Sequence, residues 1–162
     1  MDCIYQINLI NTYSDPCFPV GFSSKIGELD VFGTGDFASC TESLLPLLNK
    51  SSCSRESPTC SLDGSFQPPL SATKEFFGFS EFYYTSEDTL KIAGVWDLEK
   101  FQAKASNYCA TDWSELQTNW KNKMYKADEN RLKNQCFKSA WVSVSRRKFL
   151  IRFSIVILFT VI

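Results

Sequence analysis

Seven cysteines stand in a chain of 162 residues, and they restrict its fold more than any other feature. No two are spaced as the Cys-x-x-Cys pairs of zinc ribbons, so a metal reading is weak. Cys53 and Cys60 bracket a short polar loop, "CSRESPTC". That spacing suits a local disulfide made in an oxidising compartment. Seven is odd, so at least one thiol lacks a partner within the chain. "NKS" at Asn49 to Ser51 is a glycosylation sequon, which points to the same compartment. Yet "MDCIYQINLI" has no basic n-region and no small-residue cleavage site. The two observations agree if the chain is part of a longer polypeptide.

Histidine is absent, which removes His-based metal sites, Ser-His-Asp triads and Cys-His dyads together. Lys plus Arg is 17 and Asp plus Glu is 18. That near-balance offers no basic surface to nucleic acid and no acidic tail. Apolar residues are 44% and charged residues 22%, a globular proportion in a chain long enough for one domain with a real core.

Periodicity predicts short strands and several helices. "LDVFG" at 29–33 alternates as a strand, and "GTGDF" turns the chain. Asp36 is a fair N-cap for a helix through "FASCTESLLPLLN", with Leu44, Leu45 and Leu48 on one face and Pro46 weakening the last turn. Residues 50–74 read as a long Ser/Pro/Cys-rich connection. In "DLEKFQAKASNYC" the residues Leu98, Phe101, Ala105 and Tyr108 recur at helical spacing, with Asp97 as cap. "TDWSELQTNW" opens with a Thr or Asp cap, and Glu115 lies three residues after Asp112 as in a capping box. A third helical segment, "DENRLKNQCFKSAWV", puts Leu132, Cys136 and Ala140 on one stripe.

No motif declares an active site. "GTGD" at 33–36 lacks the Lys-Ser/Thr end of a P-loop and the third glycine of a dinucleotide loop; a glycine turn at positive φ accounts for it. Ser80 has no histidine or lysine nearby in sequence to activate it. No catalytic residue and no metal ligand is nominated. One stretch stands out: "EFFGFSEFYYT", residues 75–85, carries six aromatic rings. Such density fills a core or forms a wall on which a planar group stacks.

In order and spacing, "DPCFPVGF", "GTGDFASC", "LLPLLNKSSC", "CSLDGSFQPPL", "FFGFSEFYYT", "NYCATDWSEL" and "RLKNQCFKSAWV" resemble the ectonucleoside triphosphate diphosphohydrolases, the apyrase family. The resemblance covers residues 11–142. Residues 1–10 and the basic-hydrophobic tail 143–162 depart from it. It implies an α/β fold: part of the C-terminal RNase H-like lobe of a two-lobed actin/Hsp70-type molecule, here mostly helical with short strands. It implies hydrolysis of nucleoside tri- and diphosphates, with Ca²⁺ or Mg²⁺ bound by the full-length enzyme rather than by this stretch. The implied location is the secretory pathway, the cell surface or the Golgi membrane. The implied partners are the nucleotide, the remainder of the enzyme and, through the full-length protein, a membrane.

The same resemblance assigns roles to particular residues. Tyr84, at the end of the aromatic stretch, stacks on the nucleotide base. Arg131, five residues before Cys136, closes the other face. Glu81 stands where relatives often have a small residue, which makes the base pocket more polar or tighter. Phe76, Phe77, Phe79, Phe82 and Tyr83 are expected in the core. Disulfides are implied between Cys17 and Cys40, Cys53 and Cys60, and Cys109 and Cys136, with Cys3 left over; Asn49 is the expected glycan acceptor. The family's phosphate-binding loops and catalytic glutamate have no counterpart in this stretch. The alternative from another class is a catalytically inactive nucleotide-binding or interaction module.

Two expectations can be tested, the first implied by the resemblance and the second read from the residues. The isolated chain is expected not to release phosphate from ATP or ADP with Ca²⁺, because stabilising the charge of the phosphoryl transition state is usually the largest catalytic contribution. Release above a mock preparation would overturn this. The tail from Phe153 to Ile162 is uninterrupted by charge for ten residues, about half of the 20 that a bilayer span needs. It reads instead as a buried helix or strand, or as sequence foreign to the fold. Carbonate-resistant membrane association that disappears on deleting 149–162 would show that it is an anchor after all.

Overall fold

The computed structural model describes residues 11–53, 60, 62–68, 76–92, 94–149 and 155–157. Strands β1 (Thr12–Asp15), β2 (Ser23–Ile26) and β3 (Leu29–Gly33) form one small sheet in the order β1-β3-β2. β3 runs parallel to β1 and antiparallel to β2, with Thr12 opposite Asp30 and Ser23 opposite Phe32. Its span coincides with the alternating "LDVFG". Val31 is the residue by which this sheet reaches the interior.

The turn after β3 brings backbone against backbone. Gly35 has φ +64°, and a Cβ there would collide with the carbonyl oxygen of Cys109. A side chain is therefore excluded twice, by backbone conformation and by space. Asp36 then caps α1 (Phe37–Leu44), its carboxylate accepting from the Ser39 N–H at 3.0 Å. Pro46 ends the α-helix at Leu44, and residues Leu45–Leu48 tighten into a 3₁₀ turn. That change of pitch buries Leu44 and Leu48 but leaves Leu45 exposed, which corrects the expectation of three leucines on one face.

The core lies between α1, α3 (Leu98–Ala110) and α6 (Gln135–Phe149). Asp97 caps α3 by accepting from the Lys100 N–H at 3.0 Å. Phe101, Ala105 and Tyr108 then point inward, as their spacing predicts. Asp112 caps α4 (Trp113–Lys121), from which Leu116 is buried. The third helical segment is not continuous. It divides into α5 (Glu129–Lys133) and α6 at Asn134, which has φ −90° and ψ 1°. The Asn134 amide donates to the Asn130 carbonyl at 2.9 Å, a local bond that competes with helix propagation. Leu132, Cys136 and Ala140 nevertheless stay buried together. α6 passes through position 142 without a break.

A second small sheet has the order β4-β6-β5, built from β4 (Phe76–Gly78), β5 (Gly94–Val95) and β6 (Ile155–Ile157). β6 comes from the tail and is the middle strand, parallel to β4 and antiparallel to β5. Among the described residues no helix is long and apolar enough to cross a membrane.

Three disulfides close the fold: Cys17–Cys40, Cys53–Cys60 and Cys109–Cys136. These are the pairs that the resemblance implied; Cys3 lies outside the described residues. The last bridge joins the end of α3 to the start of α6, and both of its cysteines are wholly buried. Beside it the Tyr108 hydroxyl donates to the Leu132 carbonyl at 2.9 Å. Burial pushes the Tyr108 phenol far up, with neighbouring Tyr125 adding to the effect, so it remains a donor throughout the working pH range.

Replacing both Cys109 and Cys136 by serine is expected to cost more stability than replacing Cys53 and Cys60. The sequence separations are 27 and 7, and the chain-entropy model gives roughly 3–4 against about 2 kcal/mol. The first pair also leaves buried hydroxyls in the core. Urea denaturation of the oxidised variants decides the order; a larger loss from the Cys53/Cys60 pair would contradict this account.

Candidate functional site

The aromatic stretch does not vanish into the core. After β4, Ser80 adopts φ +55° and ψ −122°, a strained combination for a residue with a side chain. It starts a single helical turn, α2 (Glu81–Tyr83), which widens from Tyr84 to Thr89 into a π-type turn. Such turns are rare and recur at functional sites. Core bonds hold this one in place. Gln135 donates from Nε2 to the Thr85 carbonyl at 2.9 Å, and the Ser86 hydroxyl donates to the Phe82 carbonyl at 2.7 Å. Thr85, Ser86, Asp88 and Thr89 are consequently buried.

Tyr84, at the outer edge of the turn, is 45% exposed. Its ring meets Tyr83 edge-on, with centroids 5.8 Å apart and planes at 71°. Arg131 reaches it from α5, and its guanidinium carbon lies 4.7 Å from the Tyr84 ring centroid. The two residues stand 47 positions apart in sequence, so the fold alone brings them together. Asp128 positions the arginine's backbone, its carboxylate accepting from the Arg131 N–H at 2.8 Å as the cap of α5.

A third residue completes the arrangement, and no sequence motif pointed to it. Arg131 donates from one Nη to Asp88 Oδ2 at 2.7 Å. Asp88 lies one turn beyond Tyr84 and is only 7% exposed. Nothing in the "SED" run after "FYYT" marks Asp88 for burial, and the wide turn carries it inward. The exposed ring, the flat cation and the buried carboxylate form a polar-aromatic platform. It can hold a planar group by stacking without reading that group's edges.

Glu81 is engaged elsewhere. Its carboxylate accepts from Lys138 Nζ at 2.8 Å. That pair lines an apolar groove of about 670 Å³ together with Phe82, Phe137 and Trp141. Asn49 is exposed in a left-handed turn, and its side-chain oxygen accepts from the Ser51 hydroxyl at 3.0 Å. The core expectation for the aromatic stretch holds in part. Phe82 packs against the core and Tyr83 is half-buried, but Phe77 and Phe79 are 50% and 70% exposed. Phe77 lies in β4, and Phe79 lies just past its end. Among the described residues no three carboxylates or thiols stand together as metal donors.

Comparison with known proteins places these residues in context. Residues 4–149 match the model of the GDA1/CD39 (nucleoside phosphatase) family. Human ectonucleoside triphosphate diphosphohydrolase 4 is 44% identical over 137 residues, which are 80% of this chain and 22% of that protein. The Golgi apyrase of Schizosaccharomyces pombe is 38% identical over 135 residues, 81% of this chain and 23% of its own length. The nucleoside-diphosphatase mig-23 of Caenorhabditis elegans is 35% identical over 140 residues, 80% and 25% respectively. The chain thus spans between a fifth and a quarter of these curated relatives.

Proposed function

Because the chain belongs to the GDA1/CD39 (nucleoside phosphatase) family, we propose that it supplies the base-binding wall of an enzyme that hydrolyses nucleoside tri- or diphosphates. The contact of Arg131 with the half-exposed Tyr84 ring, at 4.7 Å, carries this assignment. A nucleobase stacks on an aromatic face for about 1–3 kcal/mol. A cation over a ring adds about 0.5–1 kcal/mol at an exposed site. Neither contribution requires hydrogen bonds to base edges, which suits loose base preference.

Phosphate binding and the attack of water belong to the remainder of the enzyme. The chain forms part of its C-terminal RNase H-like lobe, and the exposed Phe77 and Phe79 are available to meet that remainder. Three disulfides and the exposed Asn49 sequon favour passage through the secretory pathway, toward the Golgi or the cell surface.

The base changes little between ground and transition state, so a contact made only to it contributes uniform binding. With this segment grafted in place of its counterpart in the human relative, Tyr84→Ala is expected to raise KM roughly 5- to 150-fold with kcat nearly unchanged. Steady-state kinetics on nucleoside diphosphates decide it. A folded variant whose KM stays within twofold while kcat collapses would show that Tyr84 is no base platform.

A further inference from the structure

We propose that Asp88 is a positioning residue that sets specificity through Arg131: it commits Arg131 to the nucleobase by tethering the guanidinium over Tyr84 and withholding its charge from phosphate. This rests on the assignment of Tyr84 and Arg131 as the base platform. An arginine half-exposed at a nucleotide site has two competing partners. Its planar fork matches phosphate oxygens in bidentate fashion, and its face matches an aromatic plane. Which partner it takes depends on whether its charge is already satisfied.

Here the charge is satisfied from below. Asp88 Oδ2 accepts from Arg131 Nη at 2.7 Å, Asp88 is 7% exposed, and the arginine side chain is 26% exposed. No other cation is in hydrogen-bond contact with the Asp88 carboxylate among the described residues; Lys126 pairs with Glu87 instead, at 3.7 Å. The backbone carbonyl of Asp88 accepts from the Lys126 N–H at 3.0 Å, which fixes the turn that presents the carboxylate. The Arg131 charge is therefore already partnered before any ligand arrives.

Two further consequences follow from the geometry. The 4.7 Å between the Arg131 guanidinium and the Tyr84 ring is a single stacking contact, and a base between them needs about twice that spacing. The arginine must lift for the base to enter. An arginine still tethered at one Nη loses less freedom when it closes on the far face of the base than an untethered one would. Asp88 thus acts through Arg131 and touches no substrate atom, so it is a positioning residue.

The oxidised 162-residue chain can be titrated by NMR with two probes: adenosine, which offers a base and no phosphate, and pyrophosphate, which offers phosphate and no base. Asp88→Asn is expected to weaken adenosine binding about 2- to 10-fold, the cost of immobilising one untethered long side chain, and to tighten pyrophosphate binding. The affinity ratio of adenosine to pyrophosphate falls, and Asp88→Glu restores it in part. Ring-current shifts of the Arg131 side-chain resonances supply a reading that needs no ligand. They are expected in the wild type and in Asp88→Glu, and lost in Asp88→Asn. Should Asp88→Asn not fold, Asp88→Ser tests the same point, since it too removes the carboxylate and leaves Arg131 in place. An unchanged ratio in Asp88→Asn, or in its stand-in Asp88→Ser, while Tyr84→Ala abolishes adenosine binding overturns the role of Asp88 and leaves the platform standing. Adenosine binding indifferent to Tyr84→Ala overturns the platform, and the role of Asp88 with it.

Discussion

The junction of α3 with α5 and α6 governs the rest of the molecule. The Cys109–Cys136 bridge and the Tyr108 hydroxyl bond to the Leu132 carbonyl lie side by side in it. One is covalent and one is a buried hydrogen bond whose donor stays protonated. Together they hold the end of a 13-residue helix against a chain that breaks direction at Asn134. Leu132 sits between them, fully buried. The same junction reaches the first sheet, because the Cys109 carbonyl accepts from the Val20 N–H at 3.2 Å and lies against Gly35. Moving Cys109 would therefore disturb α3, the glycine turn and the position of α5 at once.

Arg131 inherits its precision from this junction. It occupies a helix of only five residues, too short to be stable alone. Its backbone is held by the Asp128 cap on one side and by Leu132 and Cys136 on the other. From that base its long side chain crosses to Tyr84 and Asp88. The wide turn that carries those two residues is fixed by Gln135 and by burial of Thr85, Ser86 and Thr89. Both halves of the platform are thus tied to the N-terminal end of α6, through Gln135 and Cys136.

The exposed part of the aromatic stretch and the buried part differ in what supports them. Phe82 lies where α6 and the π-type turn pack, and it turns inward. Phe77 and Phe79 precede the turn, and both are exposed. A count of rings in sequence treats all of them alike. Their fates diverge because Phe77 and Phe79 precede the helical turn, while Phe82 lies within it and is carried against the core.

The amino-acid sequence by itself determined the local features. Asp36, Asp97 and Asp112 cap helices because a carboxylate meets the unpaired N–H groups of a first turn whatever lies beyond it. β3 and the inward stripe of α3 follow from periods of two and 3.6 in the same way. Family likeness carried the disulfide pairs and drew attention to Tyr84 and Arg131. Tertiary structure decided three other matters. It divided the third helix at Asn134, where a side-chain bond to the backbone outweighs helical periodicity. It drew residues 155–157 into the middle of a sheet, since strand pairing depends on which partners the fold brings near. It also carried Asp88 inward to Arg131, 43 positions away. A salt bridge between residues so far apart has no local signature, and it exists only once the core has placed the two turns face to face.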